Sequence, residues 1–115
     1  MSRRLWKVHL EDILESIGNI EAYVAGMDYE HFVKDKKTID AVVRNFEIIG
    51  EASKFIPEEI RREHADVDWV GILGLRNRIA HEYFAIASSV VWKILKEELP
   101  AFKSKLRELL DDQKP

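Results

Sequence analysis

The apolar residues of this chain recur at helical spacing, without the alternation typical of strands. Residues that repeat at i, i+3, i+4 and i+7 share one face of a helix. The first such stripe consists of Leu10, Ile13, Leu14, Ile17, Ile20 and Val24. It predicts a helix from about Leu5, ended by Gly26 in the left-handed conformation. Asp28 then stands where it can cap a short turn through Phe32.

A second stripe predicts a longer helix from about Asp35 to Phe55. Its members are Ile39, Val42, Val43, Phe46, Ile49 and Ser53. Pro57 suits the first turn of a short new helix, and residues 58–68 are predicted to form a connector with a turn or two of helix. Gly18 and Gly50, inside the first two helices, each cost about 1 kcal/mol relative to Ala, so we expect close helix contact at both.

Two further stripes complete the pattern. The third consists of Trp69, Ile72, Leu73, Ile79 and Ala80. The fourth, with Ser88 or Ser89 as its predicted cap, consists of Val91, Ile94, Leu95, Leu99, Phe102, Leu106 and Leu109. Pro100 cannot donate a hydrogen bond to the Lys96 carbonyl, which predicts a kink near Lys96 or a break into two pieces.

Four amphipathic helices with short connectors predict an all-α fold, an antiparallel four-helix up-down bundle with a short extra helix. The chain has 115 residues, which is the size of one domain, so residues 1–115 are predicted to form a single unit. Trp6, Trp69 and Trp92 are expected to anchor the core or an interface, because buried aromatic rings dominate packing.

Composition narrows the functional classes. The net charge of −3 argues against broad electrostatic binding to nucleic acid, so we expect no DNA partner and only local contacts with RNA. The chain has no cysteine and no apolar run long enough to span a bilayer, which favours a cytoplasmic protein that is neither exported nor inserted in a membrane. The four histidines are scattered, so we expect no metal and no other cofactor.

One short segment gathers most of the candidate chemistry. Arg76, Asn77, Arg78, His81 and Tyr83 lie within eight residues. Guanidinium groups bind phosphate, and an imidazole exchanges protons near neutral pH. On a continuous helix Arg76 and Tyr83 would share a face, whereas Arg76 and His81 would differ by about 140°. His81 can join them if the helix loosens near its end or if a second subunit completes a shared cleft, and we favour the shared cleft.

A simpler interpretation of the same segment stays open. Both arginines could be solvated, His81 could be a helix-end residue stabilised by the helix dipole, and Tyr83 could be a half-buried anchor.

Helix two carries other polar residues with a structural explanation. Glu47 and Glu51 lie within a turn of Arg44 and Lys54, which predicts a network of ion pairs on the helix surface or at an interface instead of a cation site. Asn45 is a poor helix former in mid-helix, which suggests a specific hydrogen bond.

The spacing of Arg76, His81 and Tyr83 resembles Arg-x-x-x-x-His-x-Tyr, the signature of the HepT-type toxins of the HEPN superfamily. The resemblance extends to residues 44–52 and to the pairs 91–92 and 99–100, and it covers roughly residues 8–102. Glu82 departs from the pattern, because many relatives carry a small residue there. The pair Ala87 and Ser88 replaces a frequently acidic pair.

The resemblance implies a HEPN-like four-helix domain that forms a homodimer and cleaves RNA without a metal. Arg76 and His81 would be catalytic, with the guanidinium on the phosphate and the imidazole as general base or acid. Asn77 and Arg78 would support them. The family is often paired with an MntA-type nucleotidyltransferase antitoxin, which would add AMP to Tyr83.

Two other functions remain compatible with the sequence. The chain could be a non-catalytic subunit of a nucleotidyltransferase complex that binds a nucleotide or RNA or docks the transferase. It could also be a purely structural dimerisation domain.

Overall fold

The computed structural model describes residues 3–80 and 84–112, with the backbone alone at residues 3, 4, 76, 80 and 84–87. These residues form α-helices and one π-helical turn and contain no strand. The elements are α1 Arg3–Val24, α2 Tyr29–Lys34, α3 Lys36–Ser53, α4 Glu58–Glu63, α5 Trp69–Leu73, α6 Leu75–Ala80, α7 Phe84–Lys93, the π turn Ile94–Glu98 and α8 Leu99–Asp112. The predicted all-α class is confirmed. No helix in this part of the chain is both long and apolar enough to cross a membrane.

The two longest early helices, α1 and α3, pack against each other in opposite directions. Near the end of α1, Asn19 Nδ2 donates to Asn45 Oδ1 over 3.3 Å. Near its start, the His9 ring stacks on Phe55, just past the end of α3, with ring centroids 4.3 Å apart. Later residues of α3 therefore contact earlier residues of α1, so the two helices are antiparallel. The core includes fully buried residues from both helices, among them Leu10, Ile13, Ile17, Val42, Phe46 and Ile49.

The helix ends follow the local signals closely. Gly26 has φ of 78° and comes two residues after the end of α1, as predicted. The Asp28 carboxylate accepts a hydrogen bond from the His31 backbone N–H over 2.9 Å and caps α2. Asp35 caps α3 in the same way from Thr38 over 3.0 Å. Pro57 lies at the N-cap of α4, one position before the first helical turn in which it was predicted.

The predicted third helix is wrong, because the chain forms two short helices there. The Gly74 N–H bonds to the Val70 carbonyl over 3.1 Å and ends α5. A side chain at Gly74 would bring a Cβ within 3.2 Å of the same Val70 oxygen, so glycine suits this close approach. The next helix, α6, begins at Leu75. Arg76 lies on α6, and the predicted continuation of this helix to Tyr83 falls on residues 81–83, which lie outside the described residues.

The predicted cap of the fourth helix is also wrong. Ser88 and Ser89 lie inside α7, which includes Phe84 and the residues after it, and Ser88 is fully buried. The apolar residues before the serines continue the helix, which outweighs the preference of serine for a helix end.

Near Lys96, where a kink or a break was predicted, the structure has a π turn and no break. The Leu99 N–H bonds to the Ile94 carbonyl, five residues earlier, instead of four. Pro100 is the second residue of α8 and lacks the N–H that would bond to the Lys96 carbonyl. The chain is nevertheless helical from Phe84 to Asp112, so a π turn interrupts the fourth predicted helix without breaking it.

The three tryptophans are packed as predicted. Trp6 and Trp69 are buried, and Trp92 is half-buried with its ring centroid 5.0 Å from that of Phe32. The Trp69 indole N–H donates to the His64 carbonyl over 3.0 Å, so burial leaves this group satisfied.

The expectation of close helix contact holds for only one of two glycines. A Cβ at Gly50 would lie 3.5 Å from the Ile72 carbonyl oxygen, so α3 closely approaches α5 there. Gly18 is exposed, and a Cβ would meet nothing within 4 Å. Helix packing therefore explains Gly50 and does not explain Gly18.

Candidate active site

The described part of the candidate segment lies on α6. Leu75 and Ile79 are 3% and 9% exposed, and they fix the face of α6 that meets the core. The helix packs against α3 and α7. Arg76 contributes its backbone to α6, whereas its side chain, His81 and Tyr83 lie outside the described residues. The predicted meeting of Arg76, His81 and Tyr83 therefore stays a prediction.

Asn77 is exposed on the side of α6 that faces away from the core. It lies about 200° around the helix from the buried Leu75. Its side chain is therefore accessible from solvent, and its predicted role beside His81 stays a prediction.

Arg78 makes the most specific polar contact of α6. Its Nη1 donates to Glu98 Oε1 over 2.8 Å, and its Nη2 donates to Glu98 Oε2 over 2.7 Å. Two parallel hydrogen bonds of this kind fix the relative orientation of a guanidinium and a carboxylate. We call this contact the Arg78–Glu98 fork. It connects α6 to the last residue of the π turn.

The fork keeps both of its groups charged at neutral pH. Hydrogen bonding by Arg78 holds the pKa of the Glu98 carboxyl below its ordinary value against partial burial, and the charge of Lys93 acts in the same direction. Hydrogen bonding by Glu98 raises the pKa of Arg78, and the negative charge of Asp68 also raises it. The arginine that sequence analysis placed in support of catalysis is thus already bound to a carboxylate.

A cavity of about 210 Å³ borders the fork. Its wall is mainly apolar and includes Ile72, Leu75, Ile94 and Phe102, and the fork forms part of its polar edge. Another polar contact lies along this cavity, where the Lys105 ammonium donates to the Asp66 backbone carbonyl. The cavity is lined by residues of α5, α6, the π turn and α8, and the fork joins α6 to the π turn at its edge.

The polar residues of α3 behave as the sequence indicated. Arg44 pairs with Glu47 over 3.9 Å, and Lys54 pairs with Glu51 over 3.0 Å, on exposed side chains. The predicted surface network is confirmed.

Asn45 also makes the specific hydrogen bonds that its position suggested. Its side chain is 5% exposed, donates to the Ala41 carbonyl over 2.9 Å and accepts from Asn19.

In residues 3–80 and 84–112, no three His, Asp or Glu side chains converge as a metal site would require.

Glu98 is the site residue that sequence analysis missed. It lies 20 residues from Arg78, so no helical spacing connects the two. A signal was nevertheless present. In a regular helix Glu98 would share a face with Val91, because seven residues differ by only about 20°. A charged residue at a predicted core position indicates an irregular helix or a buried partner.

The chain is similar to known proteins along most of its length. The family described as "Ribonuclease HepT-like" matches residues 13–109. A "Probable ribonuclease HepT" from Thermococcus cleftensis is 42% identical over 107 residues, which are 93% of this chain and 97% of the relative. A candidate RNase from Methanocaldococcus jannaschii is 41% identical over 106 residues, or 92% and 97% of the two chains.

A third relative agrees with these two. A candidate RNase from Caldanaerobacter subterraneus is 38% identical over 106 residues, which are 92% of this chain and 95% of the relative. No solved structure gives a significant match. The matched region includes the whole candidate segment and the Arg78–Glu98 fork.

The fork predicts a stability difference that depends on pH. Glu98→Gln should lower the free energy of unfolding at pH 7 by about 1 kcal/mol, the range of a partly exposed ion pair. Because the pKa of Glu98 is lowered in the folded state, its contribution is full above the unfolded pKa and is lost as pH falls through the folded value. Urea unfolding followed by circular dichroism from pH 7 to about pH 3 measures this.

The matched control is Glu97→Gln, which removes the same charge from the exposed neighbouring residue. The wild type and Glu98→Gln should converge in acid, while Glu97→Gln should stay close to the wild type at pH 7. Equal effects of the two variants at pH 7 would contradict the fork.

Proposed function

We propose that this chain, which belongs to the HepT-like ribonuclease family, is the RNA-cleaving toxin of a toxin–antitoxin pair. The family match over residues 13–109 is the observation that carries the proposal. Relatives named as ribonucleases align with more than nine-tenths of the chain, which supports it. The candidate residues Arg76, His81 and Tyr83 lie inside the matched region.

The proposed reaction uses the RNA's own 2′-hydroxyl as the nucleophile. His81 takes the proton, the 2′ oxygen bonds to phosphorus, and the bond from phosphorus to the 5′ oxygen breaks. The His81 imidazolium gives its proton to the leaving 5′ oxygen, which yields a 2′,3′-cyclic phosphate and a 5′-hydroxyl. Arg76 holds the phosphate and offsets the charge that develops on it. These groups supply the base, the acid and the positive charge without a metal ion.

Asn77 and Arg78 have supporting roles in this proposal. Asn77 is one turn before His81 and exposed, so its amide is available to orient the imidazole. Arg78 supports the site from the other side of α6, where it binds Glu98. Its two terminal nitrogens already have partners, which favours a structural contribution over direct phosphate binding.

We further propose that two copies of the chain share one cleft. The outer face of α3 supports this, because Arg44 and Glu51 lie seven residues apart with the half-buried Ile48 between them. A two-fold axis beside Ile48 would place Arg44 of each copy opposite Glu51 of the other. Such a face is complementary in charge to itself. A dimer formed there would use the helix against which α6 packs.

Neutralisation by an MntA-type nucleotidyltransferase completes the proposal. AMP on Tyr83 would add bulk and a negative phosphodiester beside a guanidinium that holds the substrate phosphate. The modified site would be blocked by occupancy and by repulsion. The cytoplasm, which holds both RNA and ATP, is the proposed place of action.

His81→Ala should abolish cleavage of single-stranded RNA while its helical circular dichroism spectrum stays unchanged. The loss should be at least about 10²-fold, because the variant lacks the general base or acid. The assay uses purified protein with a chelator present and identifies the product ends. Cleavage by His81→Ala at the wild-type rate would remove this residue from catalysis. Wild-type protein that binds RNA without cutting it would favour the docking or binding subunit.

A mixing experiment tests the shared cleft. Arg76→Ala and His81→Ala should each be inactive alone, and mixed dimers should regain activity, because their shared cleft then contains one intact Arg76 and one intact His81. Each variant alone is the control. A mixture that stays inactive, although mixed dimers are shown to form, would place both residues of a site on one subunit.

Incubation with an MntA-type partner and ATP should add one AMP mass to the peptide that contains Tyr83. Mass spectrometry of the digested chain locates the addition. Tyr83→Phe is the control, since it retains the ring and lacks the acceptor hydroxyl. An equal addition to Tyr83→Phe would refute the assignment and point to another acceptor.

A further inference from the structure

The π turn determines where Glu98 points. In an uninterrupted helix, Glu98 would lie on the face of Val91, which is fully buried. The structure instead buries Leu99, eight residues after Val91, at 4% exposure. The side chain of Glu98 is 40% exposed. The extra residue of the π turn thus gives the core position to leucine and moves the carboxylate to the edge of the cavity.

At that edge Glu98 meets α6, whose described residues are 75–80. Leu75 and Ile79 hold its core face through apolar contacts, which have no preferred direction. The fork adds a directional contact from Arg78, which lies two residues after Arg76 and three before His81. It therefore acts on the same short segment as the candidate catalytic residues.

We propose that Glu98 is a positioning residue of the nuclease site. Through its two hydrogen bonds to Arg78, it fixes the rotation of α6 and so the direction in which Arg76 leaves the helix. This inference rests on the proposed function. It assigns a role in catalysis to a residue of the π turn, 22 positions from Arg76 along the chain.

The geometry explains why a carboxylate is needed at this position. A single hydrogen bond lets a guanidinium pivot, whereas two parallel bonds hold its plane. An ion pair with both side chains more than a third exposed contributes little to stability, so its removal should leave the fold intact. Small displacements of a phosphate-binding group have large effects on rate. Loss of the fork should therefore affect turnover much more than folding.

The test compares Glu98→Gln, Arg78→Lys and the control Glu97→Gln in the full-length chain. Glu98→Gln keeps the shape of the side chain and loses one acceptor, and Arg78→Lys keeps the charge and loses the fork. Both should lower kcat for RNA cleavage at least about tenfold and leave KM within about twofold. Glu97→Gln should match the wild type. All variants are assayed under conditions in which circular dichroism shows them to be folded.

Backbone hydrogen exchange gives a second readout that does not depend on activity. Amides of residues 75–80 should exchange faster in Glu98→Gln and Arg78→Lys than in the wild type, while those of residues 39–50 in α3 should not change. A purely stabilising ion pair would instead leave kcat unchanged for the folded protein.

The outcomes separate this inference from the proposed function. Unchanged kcat in both fork variants of an active chain, or unchanged exchange of residues 75–80, would overturn the positioning role and leave the ribonuclease proposal standing. A wild-type chain that does not cleave RNA would overturn the proposed function and the catalytic consequence of the fork. In that case, faster exchange in the variants would retain the fork only as a structural clamp.

Discussion

The Arg78–Glu98 fork joins two irregular parts of the described chain. On one side is α6, which begins after the break at Gly74. On the other side is the π turn, which precedes Pro100 and moves Glu98 away from the core face. Without its partner, either Arg78 on α6 or Glu98 on the π turn would be an unpaired charge beside an apolar cavity. Together they produce one satisfied ion pair beside the candidate active site.

Much of the fold could be predicted because its determinants are local. The caps Asp28 and Asp35, the left-handed Gly26 and the π turn before Pro100 each depend on residues nearby in the chain. The errors arose at Ser88 and at Gly74. Tertiary packing buries Ser88 in mid-helix, and the break at Gly74 divides a stripe whose apolar spacing fits one continuous helix. Periodicity reports which residues are buried, but it does not report whether the helix between them is continuous.

For the candidate site, the sequence indicated a segment and a family but not the partner of Arg78. The density of polar residues between Arg76 and Tyr83, together with the family resemblance, predicts the segment as the site, and that remains a prediction, whereas the family match over residues 13–109 confirms the family. The partner of Arg78 could not be read from spacing, because Glu98 lies 20 residues away and faces Arg78 only as a result of the π turn. The meeting of Arg76, His81 and Tyr83 remains a prediction, since it depends on side chains outside the described residues.

Arg78 and Glu98 act as one unit that holds α6 to the π turn. A double-mutant cycle with Arg78→Met, Glu98→Gln and the combined variant, followed by urea unfolding at pH 7, measures their coupling directly. We expect a coupling free energy of about 1 kcal/mol, with the double variant less destabilised than the two single effects added together. Additive effects would instead show that the two side chains do not interact and do not form such a unit.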